Sequence, residues 1–132
     1  MQISVKENEA GYLIPFYLKN SNVKRVFVIK NKSAGDIRGN HAHKRDSQIL
    51  VLLSGHCNLE FENSDGIGSL DLQFGVPYFS RPFEWLKINM LEKDTIILVL
   101  SMEEYDEEEY IRDYNNFREI VASGARPWEV KF

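Results

Sequence analysis

The sequence predicts an all-β fold, an antiparallel sandwich or barrel, with one α-helix near the C-terminus. Three observations support this fold class. Between residues 23 and 101, apolar residues form short blocks rich in Val, Ile, Leu and Phe, and blocks of about five to seven such residues are typical of strands. Turn sequences such as KSAGD, NSDG and LEKD separate the blocks. No helical pattern lies between them, which excludes parallel βα units.

Five blocks are the predicted core strands. Several of them follow one another at spacings near ten residues, which suggests an all-β sandwich or barrel. In chain order the blocks are VKRVFVI at 23–29, QILVLL at 48–53, CNLEF at 57–61, SLDLQF at 69–74 and TIILVLS at 95–101.

The C-terminal part changes to a helical period. We predict a helix over residues 106–122, with the acidic run DEEE as its first turn and Gly124 as its stop. Acidic residues in a first turn complement the helix dipole, so this run needs no role in a site. Residues 127–132 are compatible with an added strand or a loose tail. The apolar face would pack on the β body through Tyr110, Ile111, Tyr114, Phe117, Ile120 and Val121.

Length and composition indicate one domain over residues 1–132, because 43% hydrophobic content is enough to bury a core. The net charge of -4 offers no basic excess for binding nucleic acid. No apolar run reaches the roughly 18 residues of a membrane helix, and the N-terminus lacks a signal-peptide core. We therefore expect no nucleic-acid or membrane partner and a cytoplasmic location. The single Cys57 fits a reducing compartment.

The segment between the first two blocks carries the polar residues expected to do chemistry. If residues 40–43 are extended, His41 and His43 point to the same side of the strand and Ala42 to the other. The turn-like residues 44–47 would reverse the chain, so that Gln48 enters the neighbouring antiparallel strand and faces both imidazoles. We therefore predict that three polar side chains converge inside the β fold.

Two motifs in this chain resemble known families. The spacing of Gly, His, His, Gln and Gly, ending at Gly55, resembles the first motif of the cupin superfamily of small antiparallel β-barrels or jelly rolls, with Gln48 where metal-binding cupins usually carry Glu. From about Lys24 to Phe117, the chain resembles the nucleotide-sugar 3,4-ketoisomerases of deoxysugar biosynthesis. This resemblance is carried by RGNHAHK at 38–44, Ser54-Gly55, Pro82 followed by Trp85, and YDEEEYIRDYNNF at 105–117.

The resemblance implies an isomerase that converts a dTDP-4-keto-6-deoxyhexose to its 3-keto isomer, on the way to amino sugars of surface polysaccharides. The C4 carbonyl makes the C3 hydrogen acidic, so a neutral imidazole can remove it and later return a proton to C4. A second imidazole can move protons between the enediol oxygens. On the resemblance, His43 is the carbon base and His41 its acid/base partner, and the opposite order remains open.

The diphosphate of such a substrate needs cationic donors, and arginine suits it. Arg38, beside the histidines and within the matched motif, is the first candidate. The weaker candidates are Lys44, Arg25 and Arg81, the last near an aromatic cluster in which Trp85 could stack on a base. These residues and Gln48 are the predicted substrate contacts.

The resemblance implies no cofactor, and we expect no catalytic metal. Two histidines and a glutamine form an incomplete ligand set, because the place after Trp85, where metal-binding cupins take a further His, is Leu86. A homodimer formed by strand exchange is expected, since cupins of this size often hide their edge strands in this way. A nucleotide-sugar epimerase and a non-catalytic sugar-nucleotide-binding cupin are the alternatives.

Overall fold

A computed structural model describes residues 2–127 and 129–132. This part of the chain has thirteen β-strands, a short 3-10 helix at Glu107–Glu109 and one α-helix, α1, at Tyr114–Ala122. The strands are β1 Gln2–Ile3, β2 Lys6–Asn8, β3 Gly11–Leu13, β4 Phe16–Tyr17, β5 Arg25–Lys30, β6 Asp36–His43, β7 Gln48–Ser54, β8 Cys57–Asn63, β9 Gly66–Asp71, β10 Tyr78–Ser80, β11 Trp85–Met90, β12 Ile96–Ser101 and β13 Tyr110–Ile111.

Two antiparallel sheets form the body of the fold. The strand order of the first sheet is β10-β7-β12-β5, and that of the second is β13-β6-β11-β8-β9. Two smaller antiparallel pairs, β1 with β4 and β2 with β3, come from the N-terminal residues. The predicted all-β antiparallel fold with one C-terminal α-helix is confirmed. Each of the five predicted blocks overlaps one of the strands.

The main core lies between the two sheets. Strands β7 and β12 of the first sheet and β8 and β11 of the second present alternate side chains to this interior. Full burial of each large apolar side chain stabilises the fold by roughly 1.5–3 kcal/mol. The largest members are Leu50, Leu52, Ile97, Val99, Leu59, Ile88 and Met90.

The outer face of the first sheet is also covered where β7 lies. Ile49 and Val51 point away from the main core and pack with Ile3 and Phe16 of the N-terminal strands. Strand β7 is therefore buried on both faces, which explains why its sequence is a continuous apolar run rather than an alternating one.

Helix α1 covers one end of the outer face of the second sheet. Phe117 is fully buried against Trp85, with 5.4 Å between the ring centroids. The Asp113 side chain caps the helix by accepting a hydrogen bond from the Asn116 amide. At the other end Gly124, with φ of +83°, provides the left-handed residue that ends the helix.

The first half of the predicted helix over 106–122 is wrong. Asp106 caps only the 3-10 turn, and Tyr110 and Ile111 are extended and pair with His43 and Ala42 at the edge of β6. This pairing satisfies backbone groups that a helix would have satisfied internally. Tertiary contacts thus outweigh the local preference of the acidic run for a helix N-terminus.

The predicted neighbour of the histidine strand is also wrong. Strand β7, which begins at Gln48, pairs with β10 and β12 in the opposite sheet, because residues 44–47 cross from one sheet to the other. The sequence analysis also missed β11, where Lys87 and Asn89 interrupt the apolar pattern. Residues 129–132 form no strand, and Trp128 lies outside the described residues. Within the described chain, no helix is long and apolar enough to cross a membrane.

Candidate active site

A cavity of about 180 Å³ opens between the two sheets. Its wall combines apolar residues of both sheets with a polar end formed by β6, β7 and β13. This combination of an apolar body and a few convergent polar groups is typical of small-molecule sites. The polar lining consists of Arg38, His41, His43, Gln48, Ser80 and Tyr110.

The two histidines lie side by side in this cavity, as predicted. They occupy alternate positions of β6, so both side chains point inward, and their ring centroids are 4.8 Å apart. Tyr110 of β13 packs against both rings, with centroid distances of 4.9 Å to His41 and 4.5 Å to His43. The three rings form one aromatic and imidazole cluster at the polar end.

His43 forms a buried pair with Glu109. The distance between His43 Nδ1 and Glu109 Oε1 is 2.5 Å, and both side chains are almost fully buried. Because a carboxylate only accepts hydrogen bonds, Nδ1 is the protonated nitrogen and donates to Glu109. The unprotonated Nε2 is then the basic atom. It has no hydrogen-bond partner among the residues that the structure describes.

Glu109 is held in its ionised form by backbone amides. Its Oε2 accepts hydrogen bonds from the amides of Lys44, Arg45 and Asp46, at 3.1, 3.1 and 3.3 Å. Burial alone would raise the pKa of this carboxyl, but the hydrogen bond and charge of His43 and the amides of Arg45 and Asp46 lower it below its usual value. The backbone amides of residues 44–46, in the turn that crosses from one sheet to the other, thus bind the carboxylate of Glu109.

His41 has a different electrostatic environment. Burial, followed by the charges of His43 and Arg112, lowers the pKa of His41 from 6.5 to about 4. A backbone hydrogen bond with Gly39 and the charge of Glu109 oppose this shift without cancelling it. His41 is therefore neutral at physiological pH, and of the two imidazoles only His43 has a carboxylate as its hydrogen-bond partner.

Gln48 reaches the same cavity from the opposite sheet. The buried Asp46 accepts hydrogen bonds at Oδ2 from Gln48 Nε2 at 2.8 Å and from Ser101 Oγ at 2.6 Å. Its Oδ1 accepts from the Met102 amide. Asp46 thereby fixes the amide of Gln48. The predicted convergence of Gln48 with the histidines is confirmed, although it occurs across the barrel.

The structure brings only some of the predicted substrate-binding residues to the cavity. Arg38 lines it. Arg25 lies at the same end, with its guanidinium over the Phe27 ring and 4.0 Å from Asp46 Oδ2. Lys44 points outward and donates to the Glu108 carbonyl.

The remaining two predicted contacts lie elsewhere. Arg81 lines a second pocket beside the residues that follow α1. Trp85 is buried against α1 on the outer face of the second sheet, with its indole N–H donating to Asn40 Oδ1 at 3.2 Å. Trp85 packs there because odd positions of β11 point outward, whereas Leu86 and Ile88 point into the cavity.

Three polar residues of the site were missed by the sequence analysis. Glu109 was assigned to a solvated helix turn, and Tyr110 to the apolar face of that helix. Asp46 was only part of a turn. Both Glu109 and Tyr110 belong to the motif YDEEEYIRDYNNF that carries the family resemblance, so the motif itself contained the signal.

A metal ion would find three potential ligands here, but they already have partners. His43, Asp46 and Glu109 have ligand atoms within 4.8 Å of one another. Both oxygens of Glu109 and both of Asp46 accept hydrogen bonds from protein donors. The site as built favours proton transfer, and the expectation of a metal-free mechanism remains a prediction.

The fold and the site together define a cupin-type barrel with two adjacent histidines in its interior. Within this class, the matching family is FdtA, described as WxcM-like, C-terminal, over residues 2–122. The chain belongs to this family, which confirms the resemblance inferred from the motifs.

Individual relatives agree with the family assignment. The chain is 32% identical, over 121 residues, to a TDP-4-oxo-6-deoxy-alpha-D-glucose-3,4-oxoisomerase of Aneurinibacillus thermoaerophilus, covering 91% of this chain and 81% of the relative. A 3,4-ketoisomerase of Helicobacter canadensis superposes with a TM-score of 0.82 at 29% identity, covering 91% and 93% of the two chains. WlaRA, a TDP-fucose-3,4-ketoisomerase of Campylobacter jejuni, gives 0.78 at 26% identity, covering 92% and 93%.

Proposed function

We propose that this protein is a nucleotide-sugar 3,4-ketoisomerase that converts a TDP-linked 4-keto-6-deoxyhexose to its 3-keto isomer. The observation that carries the proposal is the buried His43–Glu109 pair beside a neutral His41 in the cavity. The curated oxoisomerase relative, at 32% identity, supports the same reaction.

In the first half of the reaction, His43 acts as the carbon base. Its Nε2 takes the proton from C3, which the neighbouring C4 carbonyl makes acidic, and the electrons move to the C4 oxygen. Glu109 stabilises the imidazolium that forms. The neutral His41 donates its N–H proton to the C4 oxygen, so that a neutral enediol is produced and the negative charge lies on His41 until the second half of the reaction.

In the second half, the same groups work in reverse on the adjacent carbon. His41, having given up its proton, accepts the proton of the C3 hydroxyl, which becomes the new carbonyl. His43 returns its proton to C4. Both histidines regain their starting protonation states. Protons and electrons balance within the sugar, and the proposed reaction needs no redox cofactor.

The nucleotide end of the substrate is proposed to bind at Arg38, with Gln48 and Arg25 contacting other parts of the molecule. Arg38 lines the cavity together with the two histidines, and Gln48 faces them from the opposite sheet. A guanidinium can donate two hydrogen bonds to a diphosphate. Lys44, Arg81 and Trp85 lie outside this cavity, so the proposed contacts do not include them.

The decisive experiment follows the sugar by NMR in deuterated water. The wild-type protein is expected to convert TDP-4-keto-6-deoxyglucose to a 3-keto product, with deuterium at C4 to the extent that the proton on His43 exchanges with solvent before its return. His43→Asn is expected to lose conversion, whereas His56→Asn should keep it, because His56 is exposed and pairs with Asp71 outside the cavity.

The other outcomes of this experiment identify the alternatives. Exchange at C3 or C5 without migration of the carbonyl would replace the isomerase proposal by an epimerase. Binding of the nucleotide sugar without any exchange would replace it by a non-catalytic binding protein. Full turnover by His43→Asn would overturn the assigned base.

We further propose a homodimer formed through the first sheet, acting in the cytoplasm to supply deoxysugars for a surface polysaccharide. The location rests on the composition of the sequence, and the pathway rests on the motif resemblance. Support for the dimer comes from β5, which pairs only with β12 among the described strands. Its outward residues Val26 and Val28 are 52% and 58% exposed, and an apolar edge strand of this kind is normally covered.

A further inference from the structure

The position of Arg38 contradicts the simple alternation of a β-strand. Side chains three positions apart in a regular strand point to opposite faces. Arg38 and His41 are three apart, yet both line the cavity. Some irregularity between them must therefore reverse the alternation.

A β-bulge at Gly39 and Asn40 is that irregularity. In the pairing of β6 with β11, Leu86 lies opposite His41 and Lys87 lies opposite Gly39, so Asn40 is the extra residue. Both bulge residues are left-handed, with φ of +70° at Gly39 and +61° at Asn40. On the N-terminal side of the bulge, Arg38 lies opposite Ile88, which also faces the cavity.

The side chain of Asn40 forms a hydrogen bond on the outer face of the second sheet. Its Oδ1 accepts the indole N–H of Trp85 at 3.2 Å. Trp85 is itself packed between the sheet and Phe117 of α1. Asparagine tolerates a left-handed backbone better than other residues with a Cβ, and this hydrogen bond gives its side chain a fixed place outside the cavity.

We propose that Asn40, held by Trp85, is a positioning residue that turns Arg38 into the cavity to bind the diphosphate of the nucleotide sugar. This inference rests on the proposed function, because it takes the ligand of Arg38 from there. Asn40 does not contact the substrate. It acts by keeping one extra residue in β6, without which Arg38 would point to the outer face of the sheet.

The test measures TDP affinity by calorimetry in four proteins: wild type, Asn40→Val, Arg38→Met and the double variant. Valine disfavours the left-handed backbone, so Asn40→Val should weaken TDP binding about tenfold, as should Arg38→Met, since each loses a charged contact. In the double variant the two effects should not add, because both remove the same contact. Asn40→Gly, which keeps the positive φ but loses the hydrogen bond to Trp85, should weaken TDP binding less than Asn40→Val and about as much as Trp85→Phe.

A split in the kinetics separates positioning from general damage. With the nucleotide sugar as substrate, Asn40→Val should raise KM about tenfold and change kcat less than twofold, because His41 and His43 lie beyond the bulge. If Asn40→Val fails to fold, Trp85→Phe provides the second test. It keeps an aromatic ring against Phe117 and removes only the N–H, and it should weaken TDP binding without lowering kcat.

Each contrary result has a distinct meaning. If Arg38→Met weakens TDP binding but folded Asn40→Val and Trp85→Phe do not, the inference fails and the proposed function stands. Additive losses in the double variant also overturn the inference, because Asn40 would then act on something other than Arg38. If the wild-type protein binds neither TDP nor the nucleotide sugar, the proposed function falls and the inference falls with it.

Discussion

At the scale of residues, the site makes two histidines of one strand chemically unequal. His41 and His43 share a face of β6 and a neighbour, Tyr110. Only His43 has a carboxylate, and that carboxylate is itself fixed by three backbone amides. This difference supports the proposed assignment of the base to His43 and of the neutral donor to His41, which alternation along the strand could not decide.

Replacement of Glu109 tests this assignment. We expect Glu109→Gln to lower kcat about 100-fold, because the amide cannot stabilise an imidazolium as a carboxylate does. KM should change little, since Glu109 lies behind His43. Glu108→Gln is the matched control, because Glu108 is exposed and its side chain is outside the cavity. Steady-state kinetics with melting temperatures would check both variants, and an unchanged kcat in folded Glu109→Gln would contradict the assignment.

His41 predicts a pH dependence of stability. Its pKa is lowered from 6.5 to about 4, so the unfolded chain takes up the proton first as the pH falls. Stability is therefore lost between about pH 6.5 and 4. From pH 7 to pH 5 we expect the free energy of unfolding to fall by about 2 kcal/mol from this group.

Urea denaturation at a series of pH values measures this effect. The window from pH 7 to 5 lies above the usual pKa of glutamate, which limits the contribution of carboxyl groups. His41→Asn should flatten the curve over this range, and the exposed His56→Asn should not. An equally steep curve for His41→Asn would show that another group is responsible.

At the scale of elements, short-range patterns identified most strands but not their partners. The apolar blocks specified β5, β7, β8, β9 and β12 because buried strands are apolar runs. The segment 106–111 was assigned to a helix because its acidic residues and apolar spacing fit one. Its pairing with the edge of β6 depends on residues more than sixty positions away, which no local pattern contains.

The bulge in β6 is equally invisible to a periodic pattern. The motif indicated that Arg38 belongs with the histidines, but regular alternation would have placed Arg38 on the other face. The left-handed backbone of Gly39 and Asn40 explains how Arg38 can share a face with the histidines despite the alternation of side chains in a strand. The sequence could thus predict several residues of the candidate site, but not how the backbone brings them together.

Glycine at position 39 yields a prediction at this scale. A Cβ on Gly39 would lie 3.0 Å from the Leu86 carbonyl oxygen, in a backbone with φ of +70°. We expect Gly39→Ala to destabilise the fold by about 1–3 kcal/mol through backbone strain and this close contact. Gly35→Ala is the control, since Gly35 also has a positive φ but no atom within 4 Å of the added methyl group. Equal losses of stability in the two variants would show that the contact with Leu86 has no effect.

At the scale of the whole molecule, the cavity lies between two sheets, and each sheet supplies different polar side chains to it. One sheet supplies the histidines and Arg38, and the other supplies Gln48 and Ser80. The chain has a net charge of -4, so the overall field does not attract an anionic nucleotide. Specific cationic groups inside the cavity must hold it.

The proposed dimer gives the prediction for the whole molecule. Val26→Lys should shift the protein from dimer to monomer, because it places a charge on the exposed apolar edge strand β5. Ile67→Lys is the matched control. Ile67 is 75% exposed on β9, the edge strand of the other sheet. Sedimentation velocity would measure both variants, and a monomeric wild-type protein at micromolar concentration would refute the dimer.

Glu109 and Tyr110 follow the barrel strands in the chain, and this order has a consequence during translation. A ribosome makes the chain from the N-terminus, so both histidines emerge well before the carboxylate that activates one of them. The barrel strands β5 to β12 precede this segment in the chain. A nascent or truncated chain that lacks residues 107–111 therefore holds the histidines without the activating group. Under the proposed mechanism, the chain becomes competent for catalysis only after residues 107–111 have followed the barrel strands.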